Sequence, residues 1–352
     1  MAKVQKQFVE FHDNIRLGQY DENATLREKR DIVLRKLREG LERDFGARGE
    51  EPPKFSPFNQ GSYAMNTGIR PVEGDYDIDV GVKFHVSKDK HGPLEVKQWV
   101  YDALENHTSR VEIRRNCVTV YYFKDGKEDY HVDLAVYAAG EEGRGPLYLA
   151  KGKANSDAKY KLWEQAEPEE LIAAVTGRFS GDDAAQFRRA VRALKRWRQE
   201  RFKASGNGAP VGIGLTLAAY YWFDPVKSVD LLQNKTEYDD RAALEALVGR
   251  MLDNFQYVRH EQEEAWAWRL VVNVPVKPHT DVFTRMTNPQ MATFKEELEA
   301  LKQALGQAAS EPDTREACLT LREQFGGDFP VPEESETAKK GGRSYVGSSS
   351  SA

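Results

Sequence analysis

Three aspartates and one Gly-Ser pair carry the chemistry that can be read from this chain. Asp77 and Asp79 stand two residues apart in Tyr76-Asp77-Ile78-Asp79-Val80. A strand has a side-chain period of two, so both carboxylates project from one face while Ile78 and Val80 project from the other. Two such carboxylates repel, and one would be driven toward protonation unless a divalent cation lay between them. Asp133 repeats the pattern in His131-Val132-Asp133-Leu134-Ala135-Val136, where Val132, Leu134 and Val136 suit a core and Asp133 faces away from it. Three hard oxygen ligands with no His or Cys among them favour Mg²⁺ or Mn²⁺ over Zn²⁺. The set suits two-metal phosphoryl transfer, in which one ion lowers the pKa of an attacking hydroxyl and the other neutralises a triphosphate and its leaving pyrophosphate.

Gln60-Gly61-Ser62-Tyr63 supplies what metals cannot. Glycine lets the backbone approach closely, and its N–H groups together with the Ser62 hydroxyl can hold phosphate oxygens while Gln60 shapes the turn. Taken alone, Gly61-Ser62 is an ordinary turn and Gly74-Asp75 a turn before a strand. The three strand aspartates resist so plain a reading, because aspartate is depleted in strands and costly to bury unpaired.

The elements that must position these groups follow from periodicity. Phe8, Phe11 and Ile15 have helical spacing, and Leu26, Val33, Leu37 and Leu41 form the buried stripe of a helix over 24–45 that ends before Pro52-Pro53 and Pro57. Strands are expected at 76–86, 110–123 and 129–138, with Lys124-Asp125-Gly126-Lys127 as the hairpin turn between the last two. A helix over 96–106 contributes Val100, Leu104 and Trp99, and 139–160 reads as an irregular connection. The second half turns helical. Ser180 or Asp182 caps a helix over 183–203 with Phe187, Ala190, Val191, Leu194 and Trp197 buried, and Arg188, Arg192 and Lys195 line its flank as a basic face. Further helices are expected from Pro210 through Trp222, at 240–254, at 289–308 and at 312–324, the last stopped by Gly326-Gly327. Tyr220, Tyr221 and Trp222 read as core more than as base-stacking residues.

At 352 residues the chain exceeds one ordinary core, which predicts an α+β protein of two lobes with a cleft between them. The boundaries read as a brace helix and catalytic lobe over 1–160, a helical lobe over 161–330, and a disordered tail over 331–352 whose Ser- and Gly-rich composition buries too little apolar surface to fold. A net charge of −5 disfavours general nucleic-acid binding. The chain lacks an apolar run of bilayer length and its first residues lack a secretory core, so a cytoplasmic protein without membrane contact is expected. Cys117 and Cys318 are too few and too isolated for a zinc site or a disulfide framework, and Cys117 reads as a packing residue.

Gly-Ser, a gap, Asp-x-Asp with apolar flanks and a third Asp on a later strand resemble the polymerase-β-like nucleotidyltransferases. A closer likeness is to the bacterial cGAS/DncV-like nucleotidyltransferases, the CD-NTases of CBASS anti-phage systems. It is carried by Gln60-Gly61-Ser62-Tyr63 through Arg70-Pro71, Lys161-Leu162-Trp163-Glu164 with Pro168 after it, Leu194-Lys195-Arg196-Trp197-Arg198, and Pro210 to Tyr221, and it runs from about residue 5 to residue 330. The resemblance implies a two-lobed fold with a mixed-sheet catalytic lobe, a helical C-terminal lobe and a long bracing helix. It implies Asp77 and Asp79 on both metals, Asp133 on the metal that activates the acceptor, and Lys195 on the donor γ-phosphate. Relatives place serine hydroxyls where this chain has Gly212 and Gly214, so the corresponding contact passes to Thr216 or is lost. The implied activity joins ATP and/or GTP into a cyclic oligonucleotide, foremost a cyclic dinucleotide. A nucleotidyltransferase acting on an RNA 3′ end or a protein acceptor is the alternative, and a non-catalytic scaffold conflicts with the intact triad. Some members carry tails conjugated by a ubiquitin-transferase-like partner, which would make Ala352 an attachment point.

Overall fold

Phe8, Phe11 and Ile15 are buried along one side of the first helix, α1 (Gln5–Ile15), and a longer helix α2 (Tyr20–Gly46) buries Val33, Leu37 and Leu41. The computed structural model describes residues 3–17, 20–72, 76–202, 208–230, 235–260 and 265–333. Gly74, Asp75, Gly206, Asn207 and the tail from 334 to Ala352, to which the sequence assigned turns and an attachment point, lie outside the described residues.

The chain continues through β1 (Phe55–Asn59), a one-turn helix α3 (Gly61–Ala64), β2 (Tyr76–Phe84), α4 (Pro93–Leu104), β3 (Arg110–Ile113), β4 (Val118–Lys124), β5 (Lys127–Ala138), β6 (Tyr148–Lys151) and β7 (Leu162–Gln165). These strands form one mixed sheet in the order β1-β2-β5-β4-β3, with β6 added to β5 and β7 to β6. Only β2 and β5 run parallel; the other pairs are antiparallel. Alternation sets the layers. Ile78, Val80, Val82 and Phe84 of β2 and Val132, Leu134, Val136 and Ala138 of β5 are buried against α2 and α4 in one apolar cluster. The alternate residues are left to the opposite face, which is the chemical one.

Three expectations require correction. The strand over 110–123 is a hairpin, β3 and β4, closed where Arg114 N donates to Cys117 O at 3.0 Å. That turn, Arg114-Arg115-Asn116-Cys117, contains neither glycine nor proline, and a lone Asn116 is a weak turn signal. Residues 139–160 are not wholly irregular, since β6 forms within them and β7 follows directly, widening the sheet past residue 160. Pro57 pairs with Val82 inside β1 and does not merely end the preceding helix; β1 is an edge strand, where the missing N–H costs nothing. The turn at Asp125-Gly126 is as expected, with both residues at positive φ.

Beyond the sheet come α5 (Pro168–Thr176), α6 (Gly181–Arg201), α7 (Gly212–Trp222), the hairpin β8 (Lys227–Asp230) and β9 (Lys235–Tyr238), α8 (Asp240–Asp253), the hairpin β10 (Gln256–His260) and β11 (Ala265–Arg269), α9 (Asn288–Ser310) and α10 (Thr314–Phe325). Neither hairpin nor α5 was expected. Ser180 occupies the N-cap of α6, but its hydroxyl makes no capping bond. A second apolar cluster joins α6 to α10 around Trp197, Leu217, Leu244 and Phe294, and it takes in Phe8, Phe11 and Ile15 of α1. The first helix therefore packs with the helical half, through rings such as Phe11 against Phe325 and Phe329.

Phe84 is fully buried between Phe55 and Trp99, where truncation leaves a cavity the sheet cannot close. Phe84→Ala is expected to destabilise the fold by about 3–5 kcal/mol in urea titration.

Candidate active site

The parallel register of β2 and β5 places Asp77 opposite His131 and Asp79 opposite Asp133. All four are on the face away from the apolar cluster, because each differs from its neighbour by two residues. Thr119 of β4 lies opposite Asp133 from the other side, and its hydroxyl donates to Asp133 Oδ1 at 2.5 Å. His131 Nε2 is 3.3 Å from Asp77 Oδ1. One ligand atom from each of Asp77, His131 and Asp133 falls within 4.8 Å of the others. The expected carboxylates thus share one face, and the sequence reading passed over His131 and Thr119. Strand parity could have found His131, which stands two residues before Asp133 on the same strand.

Charge accumulates here. Burial pushes the Asp79 carboxyl up to about 8, reinforced by the charges of Asp77 and Asp133. Burial and the Asp77 charge also raise Asp133, opposed by the bond from Thr119. A carboxyl cluster that favours a proton at neutral pH is one that a divalent cation relieves, and hard oxygen donors with one imidazole suit such an ion. The residues present therefore fit the metal that the chemistry asks for.

Gly61 explains itself by contact. Its φ is +68°, and a Cβ there would sit 1.7 Å from Asp79 Oδ2, so only glycine lets this backbone lie against the carboxylate. The Gly-Ser pair opens α3, and Gln60 N donates to Asp79 O at 3.3 Å, tying the start of that turn to β2. The Gln60 side chain accepts from Tyr137 OH at 3.0 Å, which gives Tyr137 of β5 a positioning part that the sequence did not disclose.

From the helical half, α6 reaches the same place. Lys195 Nζ donates to Thr67 O at 3.1 Å and to Thr67 Oγ1 at 3.0 Å, just beyond α3. Burial, aided by the Arg192 charge, lowers this ammonium to about 7, while Asp79 opposes the shift. Arg192 donates to the carbonyls of Asn66 and Gly68, so its guanidinium holds backbone. Arg196 donates to Arg70 O at 2.9 Å. Thr216 is buried in α7 with its hydroxyl donating to Gly212 O at 3.2 Å.

Two cavities meet at this cluster. The first, of about 600 Å³, is lined by Gly61, Ser62, Asp77, Lys195 and Thr216 among others. The second, of about 1520 Å³, is lined by Asp133, Arg114, Arg115, Lys153 and Arg285 among others. Gln60, Asp79, Tyr137 and Ile213 border both. Tyr220 packs partly buried against the helical core, whereas Tyr221 is exposed and donates to Asn273 O at 3.0 Å. No helix among the described residues is long and apolar enough to cross a membrane.

Residues 53–137 match the family described as cyclic GMP-AMP synthase DncV-like, nucleotidyltransferase domain, a stretch that holds Gln60, Gly61, Ser62 and all three aspartates. The fold is similar to the crystal structure of Vibrio cholerae DncV cyclic AMP-GMP synthase, described as a prokaryotic cGAS homologue. The TM-score is 0.71 at 16% identity, covering 94% of this chain and 98% of that one. It is also similar to DncV in complex with the linear intermediate 5′ pppA(3′,5′)pG, with TM-score 0.68 at 16% identity over 92% of this chain and 97% of that one. The architecture is the α+β fold of these structures, and the nucleotidyltransferase-domain match is confined to residues 53–137.

The raised Asp79 carboxyl has a thermodynamic consequence. Folded protein holds its proton up to about pH 8, whereas the unfolded carboxyl releases it near 3.8. The folded state therefore binds more protons across that window, and metal-free stability declines as pH rises through it. Thermal unfolding in EDTA between about pH 4 and pH 8 is expected to show this decline. Saturating Mg²⁺ or Asp79→Asn should flatten it, and a flat EDTA profile for the unmodified chain would contradict the assignment.

Proposed function

We propose that this chain is a nucleotidyltransferase that condenses ATP and/or GTP into a cyclic oligonucleotide, foremost a cyclic dinucleotide, with release of pyrophosphate, using Mg²⁺ or Mn²⁺. The observation that carries the reading is the pair of cavities sharing Asp79, because ring formation needs two nucleotides to meet at one set of carboxylates. Each cavity has the size of a small-molecule site or more.

In this reading the first cavity takes the donor. Gly61 and Ser62 bind its phosphates at close backbone approach, and the Lys195 ammonium adds a point charge that an incoming polyanion would keep protonated. The second cavity takes the acceptor and brings its ribose hydroxyl toward Asp133. Asp77, Asp79 and Asp133 would hold the divalent cations, which would supply acidification of that hydroxyl and neutralisation of the triphosphate. The hydroxyl oxygen bonds to the donor α-phosphorus, the bond to the β-phosphate oxygen breaks, pyrophosphate leaves, and the hydroxyl proton passes to solvent. A second such step on the linear product closes the ring. His131 orients Asp77 through its 3.3 Å contact, and Thr119 fixes the Asp133 rotamer. A place in anti-phage defence rests on the likeness to the CD-NTases alone.

Purified protein incubated with Mg²⁺ or Mn²⁺ and all four nucleoside triphosphates, with and without RNA, then treated with phosphatase and analysed by mass spectrometry, tests this. A phosphatase-resistant product formed without RNA is expected. Label found only on RNA would favour the acceptor alternative. Asp77→Asn and Asp133→Asn should each cut pyrophosphate release by about a hundredfold or more with the far-ultraviolet spectrum unchanged. Unaltered release would remove these residues from the machinery.

A further inference from the structure

Lys97 is a buried cation outside the carboxylate face. It projects from α4 and is fully buried, and no carboxylate pairs with it among the described residues. Its ammonium instead donates to three backbone carbonyls: Arg114 O, Arg115 O at 3.0 Å and Gly152 O at 2.8 Å. Three N–H donors meeting three carbonyls satisfy the ammonium, which offsets part of the cost of burying it without a carboxylate.

The three carbonyls belong to two separate segments. Arg114 and Arg115 lie in the tight turn between β3 and β4, and Gly152 follows β6. Gly152 N also donates to Arg115 O at 2.9 Å, so the segments are joined both directly and through the ammonium. Gly152 has φ +115°, and a Cβ there would lie 2.9 Å from Tyr160 O, so glycine is what lets this backbone lie against Tyr160 and Lys161. The same two segments line the second cavity, through Arg114, Arg115 and Asn116 on one side and Lys153, Ala154 and Asn155 on the other. Arg115 and Lys153 have no carboxylate partner among the described residues, and Lys153 is exposed. They form a cationic wall suited to a polyanion.

We infer that Lys97 is a positioning residue for the acceptor, clamping from beneath the two segments whose cationic side chains receive a phosphorylated nucleotide in the second cavity. It touches neither nucleotide. It acts by holding the backbone spacing between Arg115 and Lys153, which a flexible pair of loops would otherwise lose. The inference rests on reading the second cavity as the acceptor's.

The test separates acceptor from donor. A 2′,3′-dideoxynucleoside triphosphate, lacking an attacking hydroxyl, serves only as donor, and an α,β-methylene nucleoside triphosphate, which keeps its hydroxyls but cannot lose pyrophosphate, is varied as acceptor while pyrophosphate release is followed. Lys97→Met keeps the side-chain length and removes the ammonium. Its acceptor KM is expected to rise about tenfold, with kcat and donor KM changed by less than about twofold. An unchanged acceptor KM, or kcat and both KM values shifting together, would overturn the inference. Should Lys97→Met fail to fold, the double variant of Arg115→Gln and Lys153→Gln, which leaves the Lys97 ammonium and its three carbonyls in place, decides the matter. A rise of about tenfold in acceptor KM alone supports the wall, and no change overturns it. If the unmodified protein yields no nucleotide product, it is the proposed function that fails, an outcome distinct from either result with the variants.

Discussion

The partial burial of Asp79 and Asp133 beside Asp77, with the repulsion that adds to it, is the constraint around which this structure is arranged. Burying carboxylates side by side on neighbouring strands is unfavourable, and the upward shifts at Asp79 and Asp133, caused first by burial and then by the neighbouring charges, record it. The sheet tolerates it because the opposite face packs a buried, predominantly apolar cluster. Each buried Val or Leu there contributes about 1.5–3 kcal/mol, enough to outweigh strain on the chemical face. Nearby groups are fitted to the same charge: Thr119 donates to Asp133, His131 stands beside Asp77, and Gly61 lacks the side chain that would strike Asp79. A site built this way is primed for a cation and for phosphates, since each added positive charge removes a conflict.

The helical half attaches to this face through cations that bind carbonyls. Arg192, Lys195 and Arg196 of α6 donate to backbone oxygens between Asn66 and Arg70, immediately after α3. These bonds fix the Gly-Ser turn from outside, so the position of Ser62 depends on a helix more than a hundred residues later in the chain. Burial lowers Arg192 to about 10 and Lys195 to about 7, the cost of using charged groups as structural ties. Lys195 is distinctive in doing this while also facing the first cavity. Lys97 repeats the device on the other side of the sheet, under the second cavity. Each cavity thus has a buried lysine whose ammonium is held by backbone of the segments that line it.

Local periodicity made much of this legible. Alternation of apolar residues fixed which face of β2 bears Asp77 and Asp79 and which face of β5 bears Asp133. Helical spacing located α1, α2, α6, α8, α9 and α10 to within a few residues, because one-sided burial leaves a stripe in the sequence. Asp125-Gly126 announced its hairpin through the two residue types that accept positive φ most readily. Features with weak local punctuation escaped. The Arg114 to Cys117 turn has no glycine or proline. Edge strand β1 contains a proline that argues against a strand unless its edge position is known. The hairpins β8–β9 and β10–β11 are too short to show a convincing alternation.

By itself the sequence determined residue chemistry and face: three carboxylates that must share a side of a sheet, a glycine suited to close approach, and helices enough for a second core. Tertiary structure decided who meets whom. Parallel pairing of β2 with β5 set Asp79 against Asp133 and brought His131 to Asp77, since a strand's own pattern does not name its neighbour or register. Tertiary contacts also decided that Arg192 would be spent on carbonyls and that Lys97 would be buried at all. A charged side chain reads alike in any helix until the backbone oxygens it must satisfy arrive from distant parts of the chain.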